Sequence, residues 1–278
     1  MQWRGRRQSS NVEDRRGISG KGIAVGGGLL GIIIVVVNLL MGGDGQQLPI
    51  PNTVSTPLSA EEQARQDSLA EFVKVVLAET EDVWHEVFQK SGSGYQEPKL
   101  VLFNGSVQSS CGFAESATGP FYCPGDNNVY IDLSFYQELQ DRFKAGGDFA
   151  MAYVIAHEVG HHVQNLLGKT REMAQLRQRL SAEEYNRYSV KLELQADFYA
   201  GLWAHYVQGK GLLEAGDIEE ALRAAHAIGD DRLQMEAQGY VVPEAFTHGT
   251  SEERMYWFRR GFETGDPRQG DTFSDPRL

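Results

Sequence analysis

Between Met151 and Leu167 the chain reads MAYVIAHEVGHHVQNLL, with apolar positions at Tyr153, Val154, Ala156, Val159, Val163 and Leu166 and no proline. That pattern predicts a helix. A second amphipathic helix is expected over Asp67–Lys90, where Leu69, Phe72, Val73, Val76, Leu77, Val83, Trp84, Val87 and Phe88 recur at helical spacing. SGSGYQEP breaks it, and two short strands follow at Lys99–Phe103 and Asn128–Asp132. Further helices are expected over Asp132–Ala145, from Ser181 to about Val207, over Ala215–Ile228 and over Ser251–Thr264. Asp148, Ser181 (with Glu184 as a capping box) and Ser251 are the expected caps. The polar tail after Gly265 should be loose. The fold class is therefore α+β, predominantly helical, with a small strand region.

One apolar run fits no globular helix. Residues 23–41, IAVGGGLLGIIIVVVNLLM, carry no charge. They are long enough to cross a hydrocarbon core of about 30 Å as a helix. Six basic residues against two acidic ones precede the run. The positive-inside rule then places residues 1–22 in the cytoplasm as a basic tail, and the rest of the chain outside the membrane. The run exceeds a signal-peptide core, and MGGDGQQ is a poor cleavage site, so a single uncleaved anchor is expected. Gly27 and Gly31 stand at G-x-x-x-G spacing, which allows a weak helix dimer there. Residues 42–66, rich in Gly, Pro, Gln, Ser and Thr, read as a linker, leaving 67–278 as the main domain.

The chain has 278 residues and a net charge of −12, concentrated after the anchor. An acidic body argues against a nucleic-acid partner, because phosphate binding needs a basic face. Cys111 and Cys123 are the only cysteines and lack C-x-x-C partners. Outside the membrane they are expected to form one disulfide, worth on the order of 3 kcal/mol through loop closure.

The chemistry lies on the first helix. His157, Glu158 and His161 form an H-E-x-x-H arrangement. Residues four apart on a helix are offset by about 40°, so His157 and His161 share a face and can converge on one metal ion. Glu158 lies about 100° around from His157, placed to act as general base on a metal-bound water. Gly160 costs about 1 kcal/mol against alanine in mid-helix, which implies a close approach by another element. Catalytic zinc takes three protein ligands and keeps a fourth position open. The extended metzincin pattern would need Gly and His where Gln164 and Leu167 stand. Glu193 in ELQAD, 32 residues after His161, is the expected third ligand of one zinc ion per chain. Asp197, one turn on, is placed to accept the outer N–H of a ligating histidine. His162 points away from this ion, and His85, His205 and His226 are expected to pack or face solvent. His248, in a loop before a helix, is a candidate oxyanion stabiliser.

AHEVGHHVQ, ELQAD, CG with GPFYCPGDNNVYID, and FTHGTSEERMYWF together resemble the bacterial putative neutral zinc metallopeptidase family, from the anchor to about Gly265. The resemblance implies a short cytoplasmic tail, one membrane anchor, a zincin-like catalytic domain and peptide-bond hydrolysis. It also strengthens His248, which stands in the family's THG segment. The expected partners are a protein or peptide substrate, pairing with the Asn128–Asp132 strand as a sheet edge, and the lipid bilayer. The competing expectation is a non-catalytic tethered scaffold whose zinc is closed by a fourth ligand from His162, His205 or His248. A chaperone-like binder without turnover is disfavoured by the intact Glu158.

Overall fold

A computed structural model describes residues 1–16 and 59–278. Helix α1 (Ala60–Lys90) starts earlier than expected because Ser59 accepts a bond from the Glu62 amide as its N-cap. Seven residues assigned to the linker therefore belong to this helix. The strands are β1 (Val12–Asp14), β2 (Lys99–Phe103), β3 (Ser106–Ser109), β4 (Gly112–Glu115), β5 (Phe121–Cys123) and β6 (Asn128–Asp132). Helices α2 (Ser134–Asp141), α3 (Asp148–Leu166), α4 (Lys169–Arg177), α5 (Ala182–Gly209), α6 (Asp217–Ala227), α7 (Asp230–Gln238) and α8 (Ser251–Thr264) complete the domain. The predominantly helical α+β expectation holds.

The main sheet runs β1-β2-β6-β5, with the first two pairings parallel and β5 antiparallel to β6. Alternation along β2 and β6 divides the core. Leu100, Leu102, Val129 and Ile131 face the helices, while Val101, Phe103 and Tyr130 face Val107, Ala114 and Cys123 under the β3–β4 hairpin. Cys111 and Cys123 are joined, with Cα atoms 5.8 Å apart, and tie that hairpin to β5. Because β6 has neighbours on both sides, Asn128–Asp132 is not the edge it was expected to be. Among the described strands, β5 is the outer one on that side.

Residues 1–16 differ from the expected separate tail. They form an arm on the domain, with β1 paired to β2 from Val12↔Leu100 to Asp14↔Leu102. Trp3 is buried edge-on against Phe72 of α1. The apolar run 23–41, with Gly27 and Gly31, lies outside the described residues. Among those described, no helix is long and apolar enough to cross a membrane.

Three other expectations change. Gly147 precedes α3, and Asp148 is its first residue; the free Phe149 amide is capped from α6 by Glu220 at 3.1 Å. Thr250, rather than Ser251, caps α8 through a capping box with Glu253, while the Ser251 hydroxyl donates to the His226 carbonyl. The tail is not loose, since Gly270 and Thr272 are buried and bonded to Gln195 and the Lys191 carbonyl of α5. The Ser181–Glu184 capping box is present at the start of α5.

Helix α5 lies between α3 and α8, close to both. A Cβ at Gly160 would lie 3.1 Å from the Ala196 carbonyl, which is the close approach its cost implied. Gly201 and Gly261 leave no room at all, their Cβ positions lying 1.9 Å from the Phe258 oxygen and 2.1 Å from the Phe198 oxygen. Gly201→Ala should therefore lower stability by about 3 kcal/mol or more, at or above the usual range for overpacking. Gly209→Ala, with open space around it, should change stability by less than about 1 kcal/mol. Thermal unfolding of both variants checks the contrast, and equal midpoints would refute the close packing.

Candidate metal centre

The motif helix α3 is buried along most of its length, and the Gly160–Ala196 approach sets it against α5. This brings Glu193 opposite the two histidines. His157 Nε2 lies 3.1 Å from Glu193 Oε2 and 3.2 Å from His161 Nε2, and His161 Nε2 lies 3.4 Å from Glu193 Oε1. Tetrahedral zinc with ligand bonds of about 2.0–2.2 Å needs donor atoms about 3.3–3.6 Å apart. The donor groups of the three residues form a triangle of nearly that size, with Glu193 turning Oε2 to His157 and Oε1 to His161, so the residues fit the ion.

Each histidine is held by its outer nitrogen. His157 Nδ1 is 2.8 Å from Asp197 Oδ1, and His161 Nδ1 is 2.8 Å from Gln164 Oε1. The Gln164 amide nitrogen donates to the Leu192 carbonyl at 2.6 Å, which fixes which end of that amide faces His161. Both contacts make Nδ1 the protonated nitrogen and leave Nε2 free for a metal. Asp197 is fully buried and is gripped further by Arg254, whose Nε and Nη2 donate at 2.8 and 3.0 Å, and by the Tyr153 hydroxyl at 2.5 Å.

Gln164, Tyr153 and Arg254 were not anticipated from sequence. Gln164 is one turn beyond His161 and Tyr153 one turn before His157, so helical spacing could have exposed both. Arg254, 97 positions from His157, gave no local signal.

The carboxylates differ in character. Burial alone would raise Glu193, but His161, His248 and His157 hold it well below the usual range. Burial would likewise raise Asp197, but Arg254 and His157 outweigh it and hold it down to about 2. Glu158 shifts the other way, because burial raises its pKa more than the neighbouring imidazoles lower it. Burial would depress His157, but Asp197 and then Glu193 prevail and raise it to about 10.

The remaining histidines separate cleanly. His162 is buried, with Nε2 on the Gln96 carbonyl at 2.7 Å and Nδ1 on the Tyr122 hydroxyl at 3.1 Å. His205 Nδ1 donates to the Phe262 carbonyl at 2.7 Å. His85 faces Glu97 at the surface, and His226 stands in the last turn of α6. Neither His162 nor His205 is presented to the donor triangle. His248 is half-exposed, and its pKa is raised, against burial, by Glu193 and by Asp230 at 3.3 Å. Asp230 also accepts the backbone amides of Thr247, His248 and Gly249, which fixes this loop.

Two imidazoles and a carboxylate from facing helices, with a glutamate beside them, define the class of H-E-x-x-H metal-site proteins. The chain belongs to the family described as putative neutral zinc metallopeptidase, which matches residues 1–273. It is 52% identical over 285 aligned residues to the uncharacterised protein YpfJ of Escherichia coli (strain K12), covering 98% of this chain and 99% of that one. It is 43% identical to the uncharacterised protein Mb2605 of Mycobacterium bovis, over 73% of this chain and 71% of the relative. No solved structure matches.

Metal binding must displace protons from imidazoles whose pKa values are raised. Zinc affinity should therefore fall as pH drops from 8 to 6, by about tenfold per pH unit for each proton displaced. Chelator competition at several pH values measures this, and a flat profile would show that the imidazoles carry no competing proton.

Proposed function

We propose that this chain is a zinc-dependent peptidase that hydrolyses peptide bonds at the His157–His161–Glu193 centre. The observation that carries the reading is the spacing of the donor groups of those three residues. Zinc bound there supplies Lewis acidity, acidifying a water and polarising a carbonyl.

The protein's own residues supply the rest. Glu158 accepts the proton that the attacking water loses, and its raised pKa brings it nearer the range of an effective general base at neutral pH. It then delivers that proton to the departing amine as the C–N bond breaks. His248, its pKa raised by Glu193 and Asp230, is suited to donate to the carbonyl oxygen as negative charge gathers there. Asp197 and Gln164 hold the two imidazoles with Nε2 toward the ion.

The scaffold alternative needs a fourth protein ligand. Other bonds occupy His162 and His205, and the third candidate, His248, is held at Nδ1 by Asp230 and serves the catalytic reading as oxyanion donor, which favours an open position. Substrates are peptides or proteins, and the acidic domain disfavours nucleic acid. The apolar stretch 23–41 supports attachment to the bacterial inner membrane. The Cys111–Cys123 pair supports an oxidising compartment for the domain.

Glu158→Gln should keep zinc within about threefold of the parent but lose activity by at least about 100-fold, the lower range for a general base. Metal analysis and digestion of a peptide library check this together. Full activity in the variant would refute the assignment.

A further inference from the structure

We propose that Arg254 is a positioning residue for the metal centre, acting through Asp197 on His157; this rests on the zinc-site reading above. Asp197 lies in the protein interior and uses both oxygens. Oδ2 receives Arg254 Nε, whereas Oδ1 receives Arg254 Nη2, the Tyr153 hydroxyl and the outer N–H of His157. Arg254 Nη2 also lies 3.2 Å from the Tyr153 hydroxyl, and Nη1 donates to the Ile228 carbonyl at 3.2 Å. The guanidinium is thus fixed at both ends, and it fixes a carboxylate that is shut off from bulk solvent. A planar fork can lock a carboxylate's rotation where a lysine cannot. The orientation of His157 is in this way set from α8, a helix that contributes no ligand.

Arg254→Gln should weaken zinc retention about 10- to 100-fold, as loss of outer-shell support generally does. It should also shift the visible absorption bands of the cobalt-substituted protein. Arg254→Lys should restore only part of the affinity. If Arg254→Gln does not fold, Tyr153→Phe removes a single bond to Asp197 and should loosen zinc several-fold. Parent-like affinity and cobalt spectra in Tyr153→Phe and in any folded Arg254 variant would overturn the positioning role while leaving the zinc site standing. Failure of the parent itself to take up zinc would overturn both.

A separate observation concerns the arm. We infer that residues 1–16 and the domain lie on the same side of the membrane. The strand pairing of β1 with β2 is extended by Leu100 N to Asn11 O at 2.9 Å and Arg15 N to Leu102 O at 2.8 Å. Beside it, Glu79 and Glu81 of α1 are buried, and their partners come from the arm. Arg6 reaches Glu79 at 3.0 Å, Arg7 reaches Glu81 at 2.9 Å, and Ser9 and Asn11 also bond Glu81. Arg6 and Arg7, two of the six basic residues that a charge rule reads as a cytoplasmic signal, are consumed in these pairs. A single crossing by residues 23–41 would place the arm and the domain on opposite faces, where none of these contacts can form.

In the full-length protein, Arg7→Glu should lower the unfolding midpoint by on the order of 5–10 °C by leaving Glu81 facing like charge. Adding Glu81→Arg should recover part of the loss. An unchanged midpoint in Arg7→Glu would overturn the docking. A membrane-impermeant maleimide applied to intact spheroplasts should treat Ser10→Cys and Arg171→Cys alike, both reacting before lysis or both only after it. Opposite labelling of the two positions would overturn the shared side.

Discussion

A single ionised carboxylate in the interior, Asp197, organises this molecule. Removing such a group from water is costly unless every lone pair is met and an opposite charge lies close by. Here α3 supplies Tyr153 and His157, α5 supplies the carboxylate, and α8 supplies Arg254. Those three helices must therefore meet at one depth. The glycines at 160, 201 and 261 let their backbones come near enough to do so. Packing and polar satisfaction make the same demand, and the metal triangle is what the combined solution leaves at the surface of the cluster.

The charge arrangement around that triangle divides the acids by role. Glu193 and Asp197 are held ionised by facing cations, as a ligand and its support require. Glu158 sits one residue from His157, yet burial dominates and pushes it toward the neutral form. The difference comes from position on the helix. His157 and His161 look across to α5, whereas the residue between them turns about 100° away from that partner. One local motif thus presents two imidazoles toward α5 and turns a buried carboxyl away from it without further specialisation of the backbone.

What could be read in the sequence follows from how local each signal is. Periodicity placed β2 and β6 at their observed limits, and it located the motif helix and α5, because their apolar residues lie within one or two turns of each other. The position of Glu193 opposite the two histidines was reachable because H-E-x-x-H leaves a definite vacancy and few acids stand in apolar surroundings. Arg254 was not, since an arginine in SEERMYWFRR looks like any solvated charge until its helix is packed. Asn128–Asp132 was rightly a strand and wrongly an edge, because an edge depends on its neighbours, and β5 carries only three residues of weak pattern.

The arm shows the same limit from the opposite direction. VED has no alternation to mark a strand, and a run of arginines before an apolar stretch matches a membrane-topology signal closely. The clue lay elsewhere, in α1. The stretch AETED interrupts its apolar pattern, and Glu79 and Glu81 are buried there. Two acids buried on opposite sides of one helical turn imply cations from another segment. Within α1 no arginine or lysine follows Lys74 until Lys90, too far along the axis to serve them. The complement had to come from a distant part of the chain, and Arg6 and Arg7 are what the fold brings.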